Sequence, residues 1–303
     1  MLKRAGFSWL LIERNLKHKT MLLPDSIDAY AQQLSDFMTE HPKLVVLTGA
    51  GISTDSGIPD YRDSNAQWKR KPPVQHHDFM HNLAARQRFW ARSLIGWPVM
   101  RDAQPNESHF HLVEMEQHGA IELLITQNVD GLHQKAGHQR VIDLHGRSDN
   151  VICMSCNHSL SRDAAHALMA AENPSFLGLQ ATPAPDGDAD LEDIDFSTFH
   201  VSNCPICDGL LKPNVVFFGD NVPKEHVNDA LNALKNADAL LVIGSSLMVY
   251  SGYRFCKRAK EWNIPIAALS LGKTRADDIL SLKLNAPIGK TLSMVTASRH
   301  PFL

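Results

Sequence analysis

The sequence lacks the features that define several large classes of protein. No stretch of its 303 residues approaches the roughly 18 consecutive apolar residues that a membrane-spanning helix needs. Neither sign of charge dominates, since 30 Lys and Arg stand against 33 Asp and Glu. That balance argues against a nucleic-acid binder that works by general electrostatic attraction. With 44% hydrophobic and 21% charged residues, the composition fits a soluble globular protein of one large or two coupled domains, long enough to bury a sizeable core.

A secretory signal is also lacking from the first twenty residues. The apolar patch Phe7–Ile12 is too short for the hydrophobic region of such a signal, and no small-residue cleavage site follows it. Lysines and arginines surround the patch. Residues 1–20 are therefore interpreted as a disordered extension upstream of a start at Met21, with an amphipathic transit-like segment as the alternative. The first interpretation predicts a cytoplasmic protein and the second a protein of the mitochondrial matrix.

Short apolar runs recur along the chain. They are Leu44–Leu47, Ile121–Ile125, Val141–Leu144, Val215–Phe218, Leu240–Ile243 and Ile266–Leu269. Such runs are typical of strands buried on both faces, and amphipathic helical patterns lie between several of them. The alternation predicts an α/β fold with a Rossmann-like, doubly wound parallel sheet. Because Gly, Ser, Asn, Gln or His follows nearly every run, at the edge where such sheets bind ligands, the pattern also indicates a nucleotide site.

The domain boundaries are predicted from the places where this alternation stops. Residues 21–149 and 213–303 are assigned to a Rossmann-like sheet domain of the nucleotide-binding type. Within it, residues 63–117 show no strand signal, are rich in helix formers and aromatics, and are predicted to form a helical insertion. Residues 150–212 carry four cysteines and a loop-like stretch with several Pro and Asp residues. This segment is predicted to form a small zinc-ribbon domain inserted into the sheet domain.

Two Cys-x-x-Cys pairs occur in the small domain, Cys153 with Cys156 and Cys204 with Cys207. Zn²⁺ favours four soft ligands in a tetrahedron, and each pair supplies two thiolates from one tight turn. Disulfides or redox motifs are the alternatives, but the lack of a secretory signal and the odd fifth cysteine, Cys256, argue against an oxidising compartment. We predict one structural zinc ion, with no open coordination position for catalysis. Cys256 is predicted to be an ordinary core thiol.

The loop at residues 49–62 opens like a dinucleotide-binding fingerprint and then departs from it. Gly49 and Gly51 have the spacing that lets the backbone approach a pyrophosphate. Gly57 comes eight residues after the first glycine, and Pro59 would interrupt the helix that normally follows. The loop therefore predicts a nucleotide held partly by a mobile segment. A Rossmann oxidoreductase, which needs a helix directly after the glycines, is left as a distant alternative.

Several motifs follow one another in a fixed order. They are Gly49-Ala-Gly-Ile-Ser53 with Gly57-Ile-Pro-Asp-Tyr-Arg62, Thr126-Gln-Asn-Val-Asp130-Gly-Leu-His133, Leu144-His-Gly146, the two Cys-x-x-Cys pairs, Val216-Phe-Phe-Gly219 and Gly244-Ser-Ser246. In this order they resemble the sirtuins, which are NAD-dependent protein lysine deacylases. The resemblance covers about residues 25–295. It is closest to the class II branch, which includes sirtuin 4 and its bacterial relatives.

The resemblance implies that NAD is consumed as a co-substrate and that the acyl group of an acyl-lysine passes to ADP-ribose. His145 matches the histidine that removes a proton relayed from the ribose hydroxyls, a role that suits a neutral imidazole. The residues that match NAD contacts are Gly49, Ala50, Gly51, Ser53, Asp60, Tyr61, Arg62, Gln127, Asn128, Val129, Asp130, Gly244, Ser245, Ser246, Ser270, Leu271, Gly272 and Ile288. Of these, Gln127, Asn128 and Asp130 match the nicotinamide end. Ser270 stands where the family usually has Asn.

The resemblance also implies a peptide-binding groove. The matching residues are Val216, Phe218, Gly219, Met248 and Val249. A peptide that adds as a strand between two edges is held by main-chain hydrogen bonds. The implied activity is deacetylase-type deacylation of acylated-lysine proteins or peptides, with no nucleic-acid or membrane partner. Protein mono-ADP-ribosylation stays open as an alternative, because a protein nucleophile could trap the same activated ribose.

The acyl specificity is predicted only in part. Sirtuins that remove succinyl or malonyl groups carry a Tyr-x-x-Arg pair in the helical insertion, and the corresponding segment Arg86–Arg92 has none. Short, negatively charged acyl groups are therefore expected to be poor substrates, although Arg88 or Arg92 could still supply a positive charge. The acidic stretch Asp186–Asp195 either reaches the acyl channel or forms a solvated loop, and the sequence does not distinguish the two.

Overall fold

The computed structural model describes residues 26–191 and 194–299, so the predictions for residues 1–20 lie outside the described residues. The strands are β1 Leu44–Thr48, β2 Ile121–Thr126, β3 Val141–Asp143, β4 Gly146–Cys153, β5 Ser159–Ser161, β6 Thr182–Ala184, β7 Asp188–Asp190, β8 Leu211–Val215, β9 Ala239–Ile243, β10 Ile266–Leu269 and β11 Leu282–Leu284. The helices are α1 Ile27–Glu40, α2 His76–His81, α3 Leu83–Asp102, α4 Glu107–Gln117, α5 Leu132–Ala136, α6 Arg162–Glu172, α7 Lys224–Lys235, α8 Tyr250–Glu261 and α9 Ile288–Arg299. Among these described helices, none is both long and apolar enough to cross a membrane.

The large sheet is parallel, with the strand order β11-β10-β9-β1-β2-β3. Strands β1, β9 and β10 are buried along their whole length, because helices cover both faces of the sheet. Helices α1, α4 and α9 pack on one face and α7 and α8 on the other. This confirms the predicted doubly wound α/β architecture. Cys256 lies fully buried on α8, in the core that covers the second face, as predicted.

The small domain is built on a second sheet, in which β4 pairs antiparallel with β5 and β8. The strand predicted at Val215–Phe218 in the large sheet was wrong, because the observed strand is Leu211–Val215 and belongs to this small sheet. An apolar run has the same appearance in either setting. The predicted domain boundaries at residues 150 and 212 fall inside β4 and β8, so these two strands carry the chain between the domains.

The helices of the segment predicted as a helical insertion pack in two different places. Helices α2 and α3 pack beside the small domain, where Phe79, Trp90 and Leu94 share a core with β4 and β8. Helix α4 instead contributes Leu112 and Met115 to the core under the large sheet. The hairpin β6–β7 lies on α3 at Gly96, where a Cβ atom would clash with the main-chain carbonyl of Asp188. The close approach of hairpin and helix therefore requires glycine at this position.

Candidate active site

A cavity of about 1570 Å³ lies at the carboxyl ends of the large-sheet strands, beside the small domain. The predicted site residues that line it are Gly49, Ala50, Gly51, Asp60, Tyr61, Arg62, Gln127, Asn128, Val129, His145, Val216, Phe218, Gly219, Gly244, Ser245, Ser246, Met248, Val249, Ser270, Leu271 and Ile288. Ser53, Asp130 and Gly272 do not line it. The first two lie directly behind Asn128, and the Gly272 N–H donates to Asn285 Oδ1 at 2.8 Å. The structure thus gathers residues from distant parts of the sequence at one edge of the sheet.

The glycine loop is pressed against the loop that follows β9. The Gly51 N–H donates to the Gly244 carbonyl at 2.8 Å, and a Cβ atom on Gly51 would lie 2.8 Å from that same oxygen. Two short 3₁₀ turns, Ala50–Ile52 and Thr54–Ser56, follow in place of a regular helix, and Gly57 has a positive φ of 84°. The predicted interruption of the fingerprint is confirmed. The close main-chain contact leaves no room for side chains where a phosphate-bearing ligand would approach.

A hydrogen-bonded cluster fixes the loop after β2. Asn128 Nδ2 donates to the Gly49 carbonyl at 3.2 Å and to Ser53 Oγ at 3.1 Å. Ser53 Oγ in turn donates to Asp130 Oδ2 at 2.7 Å, and Asp130 Oδ1 accepts the Leu132 N–H at the start of α5. Burial raises the pKa of Asp130, and these hydrogen bonds offset part of that rise. The cluster therefore holds Asn128 and Asp130 in place before any ligand binds.

Two threonines and a histidine support this loop from behind, and sequence reasoning assigned none of them a role, although Thr126 and His133 belong to one of the ordered motifs. Thr48 and Thr126 are aligned across β1 and β2, and their hydroxyl oxygens are 2.9 Å apart. Thr48 Oγ1 also lies 2.9 Å from Nε2 of the buried His133, and Thr126 Oγ1 accepts the Asn128 N–H at 3.1 Å. For the two threonines, the available sequence signal was their position, because each is the last residue of its strand.

His145 follows β3, where the chain leaves the large sheet. Its Nδ1 lies 2.8 Å from the Gln127 carbonyl oxygen, and its Nε2 lies 2.7 Å from Ser251 Oγ. A carbonyl only accepts hydrogen bonds, so Nδ1 carries the proton, and the lone pair on Nε2 of the neutral ring accepts the Ser251 hydroxyl. Burial lowers the pKa of His145, and the nearby Arg254 guanidinium lowers it further. The imidazole is therefore neutral at neutral pH and presents a basic nitrogen.

The predicted peptide-binding residues lie on the segments that follow β8 and β9. The Val216 N–H donates to the His145 carbonyl at 2.8 Å, and the Phe218 carbonyl accepts the His76 N–H at 2.8 Å. Phe218 also packs edge-on against Tyr61 and Trp68. The segment is thus tied both to the loop with His145 and to helix α2.

The acidic stretch reaches the cavity. Asp186, Asp188 and Asp190 line it, and Arg92 binds both carboxylate oxygens of Asp188 at 2.8 and 2.9 Å. Asp190 also pairs with Arg92, at 3.3 Å, and with Arg70. Residues 186–190 of the acidic stretch therefore lie at the cavity, and for these residues the alternative prediction of a solvated loop is wrong. These contacts also leave Arg92 with its charge already neutralised.

The four cysteines predicted to bind metal come together at the end of β4. Their sulfur atoms all lie within 4.8 Å of one another, with 3.5 Å between Cys153 and Cys207 and 3.8 Å between Cys156 and Cys204. A tetrahedral site with Zn–S bonds of about 2.3 Å requires sulfur atoms about 3.8 Å apart. Backbone N–H groups of Cys156 and Ser155 lower the pKa of Cys153 to about 6, which favours the thiolate. The donor set therefore fits a structural zinc ion and the free thiols form no disulfide.

Comparison with known proteins gives a consistent result. The Sir2 family model matches residues 49–251. An NAD-dependent protein deacetylase of Xanthomonas axonopodis pv. citri is 54% identical over 267 residues, covering 88% of this chain and 91% of the relative. The mitochondrial NAD-dependent protein lipoamidase sirtuin-4 of Bos taurus is 44% identical over 268 residues, covering 87% and 85%. A solved structure of Sir2 with a p53 peptide and NAD⁺ gives a TM-score of 0.70 at 29% identity, covering 89% of this chain and 99% of that one. The resemblance inferred from the ordered motifs is confirmed, and the chain belongs to the Sir2 family.

Proposed function

We propose that this chain is an NAD-dependent protein lysine deacylase of the deacetylase type, which releases nicotinamide and transfers the acyl group to ADP-ribose. The observation that carries the proposal is the state of His145. Its ring is held neutral, with Nε2 as the acceptor, in the same cavity as the glycine loop and Asn128. The deacetylase relatives and the Sir2 structure with peptide and NAD⁺ support the same assignment.

The residues around the cavity fit NAD as co-substrate. NAD supplies a ribose carbon from which nicotinamide can leave. Gly51 and Gly244 would hold the phosphates, since their backbones lie in contact without side chains. The fixed pair Asn128 and Asp130 would hold the nicotinamide end. His145 Nε2 would accept the proton that a ribose hydroxyl gives up.

The substrate is proposed to be a peptide segment that carries an acylated lysine. It would add as an extended strand along the segments at residues 216–219 and 248–249, through main-chain hydrogen bonds. A solved Sir2 structure with a bound acetylated peptide supports this class of substrate. The proposal includes no nucleic-acid or membrane partner, which agrees with the balanced charge of the sequence.

The zinc ion is proposed to have a structural role. Four cysteine sulfurs would fill all positions of a tetrahedral zinc ion, which would leave none for water or substrate. Free thiols of this kind persist in reducing compartments. That supports a proposed location in the cytoplasm, or in the mitochondrial matrix.

The test is mass spectrometry of the purified protein with NAD and one peptide that carries a panel of lysine acyl groups. The proposal predicts nicotinamide and O-acyl-ADP-ribose from the wild type and their loss in His145→Ala. The control is His200→Ala, because His200 is exposed and does not line the cavity. ADP-ribose attached to protein without deacylated peptide would support the ADP-ribosyltransferase alternative instead. No consumption of NAD on any acyl peptide would contradict the proposal.

A further inference from the structure

A basic and aromatic patch lies at the start of α8. It consists of Tyr250, Tyr253, Arg254 and Arg275. The guanidinium carbon of Arg254 lies 5.4 Å from the ring centroid of Tyr250, and that of Arg275 lies 4.5 Å from the ring of Tyr253 and 6.0 Å from that of Tyr250. Stacking on an aromatic ring holds a guanidinium in place while its N–H donors at the edge stay available. The patch is therefore an ordered arrangement of two cations.

The patch adjoins the segment proposed to bind the peptide backbone. Arg275 Nη1 donates to the Met248 carbonyl at 3.2 Å, and the Arg275 N–H donates to the Ser246 carbonyl at 2.9 Å. Tyr250 and Arg254 line the cavity together with Met248. The side chain of Tyr250 is about half exposed, so the patch is open to an incoming chain. A peptide in the groove would therefore pass Tyr250 and Arg254, and the Arg275 guanidinium lies against the same Tyr250 ring.

Neither arginine of the patch has an acidic partner. Across residues 26–191 and 194–299, no carboxylate lies at salt-bridge distance from Arg254 or Arg275, whereas Arg258 on the same helix pairs with Glu261 at 2.6 Å. In the same described residues, Arg254 Nε is buried with no hydrogen-bond partner. Buried donors are normally satisfied, so this one indicates a missing acceptor. The described part of the chain therefore supplies no anion for the patch.

We propose that the patch binds a carboxylate side chain of the substrate, so that the enzyme prefers acyl-lysines that are flanked by Asp or Glu. The inference rests on the proposed function, because it needs a peptide in the groove. Arg–carboxylate pairs form strong, often bidentate hydrogen bonds. Exposed ion pairs are individually weak, so the two arginines together should raise kcat/KM for an acidic peptide by about two- to thirtyfold.

The test uses pairs of acetyl-lysine peptides. The two peptides of a pair are identical except at one position, which is Asp in one and Asn in the other. The positions tested are the two residues on either side of the acetyl-lysine. The wild type should prefer Asp at one or more of these positions, with a preference that falls as NaCl is added because salt screens exposed charges. Arg275→Gln should lower the Asp/Asn ratio of kcat/KM towards one through a higher KM for the acidic peptide. Lys260→Gln should keep the ratio, since Lys260 is exposed on the same helix and lies outside the patch.

Three outcomes would overturn the inference. Equal kcat/KM for Asp and Asn at every position in the wild type would do so, as would an unchanged ratio in Arg275→Gln. A raised KM for NAD in Arg275→Gln, with the peptide ratio intact, would assign the patch to the co-substrate. Fluorescence anisotropy measures the binding of labelled peptides without turnover. It therefore distinguishes a failure of this inference from a failure of the proposed function. If no peptide is deacylated but Asp peptides still bind more tightly, the proposed function fails and the inference about the patch stands.

Discussion

His145 Nε2 and Ser251 Oγ lie 2.7 Å apart, and this contact joins the loop after β3 to the first turn of α8. The opposite ring nitrogen faces the Gln127 carbonyl, so Ser251 is the donor to Nε2. Ser251 is buried, and the sequence analysis gave it no role in the site. It thus orients the imidazole from the side of the proposed peptide groove.

Ser251→Ala should lower kcat while the KM for NAD stays near its wild-type value. The reason is that one hydrogen bond of about 1 kcal/mol would no longer hold the ring, which corresponds to about a fivefold loss. Steady-state kinetics with an acetyl-lysine peptide measures this effect. Ser251→Thr keeps a hydroxyl and should recover part of the rate. Equal kcat in Ser251→Ala and the wild type would show that the contact does not position His145.

The pH profile should follow the lowered pKa of His145. The neutral ring is the active base, so kcat/KM rises with pH through the pKa of His145 and levels off above it. Burial lowers that pKa, so the midpoint of the acid limb should lie below the ordinary value of about 6.5. Arg254→Gln removes a nearby cation and should move the midpoint upwards, whereas Lys260→Gln should not move it. A wild-type midpoint above that ordinary value would contradict the assignment.

Succinyl-lysine should be a much poorer substrate than acetyl-lysine. Asp188 and Asp190 already neutralise Arg92, so a carboxylate at the end of an acyl group would have to compete with them for its guanidinium. Competition assays with paired acetyl and succinyl peptides measure the preference. Asp188→Asn should raise the succinyl/acetyl ratio by about tenfold, since a partly buried charge pair is worth more than an exposed one. Asp195→Asn is the control, because Asp195 lies on the same acidic stretch and accepts hydrogen bonds from Ser197. Rapid desuccinylation by the wild type would contradict this prediction.

Zinc removal should unfold the small domain. The purified protein should contain one zinc ion per chain by elemental analysis, and Cys156→Ser should lose it together with a marked fall in Tm. Cys256→Ala is the matched control, because Cys256 is a buried thiol outside the cluster. It should lower Tm by a few degrees through a small cavity and leave the zinc content unchanged. Full zinc content in Cys156→Ser would contradict the ligand assignment.

The sequence allowed the large sheet and most of the cavity lining to be predicted, because strands buried on both faces require continuous apolar runs. The same rule misplaced Val215–Phe218, since an apolar run does not reveal which sheet it joins. Strands β5, β6 and β7 are only three residues long, too short for any periodic signal. The contacts of Arg92 with Asp188 depend on how the hairpin packs on α3, which no local pattern encodes. Ser251 was missed for the same reason, because its partner is 106 positions away in the sequence.

The position of His145 between the two sheets has a mechanical consequence. The histidine lies between β3 and β4, and its carbonyl accepts a hydrogen bond from the N–H of Val216, just after β8. Strands β4 and β8, which both cross between the domains, therefore meet at this residue. His145 therefore sits at a pivot, while Cys153 lies at the far end of β4. With about 3.3 Å per residue, a 10° rotation of the small domain about His145 would move Cys153 by about 5 Å. The same rotation would hardly move the imidazole. The proton acceptor would therefore keep its position relative to the large sheet while the cysteine cluster moves.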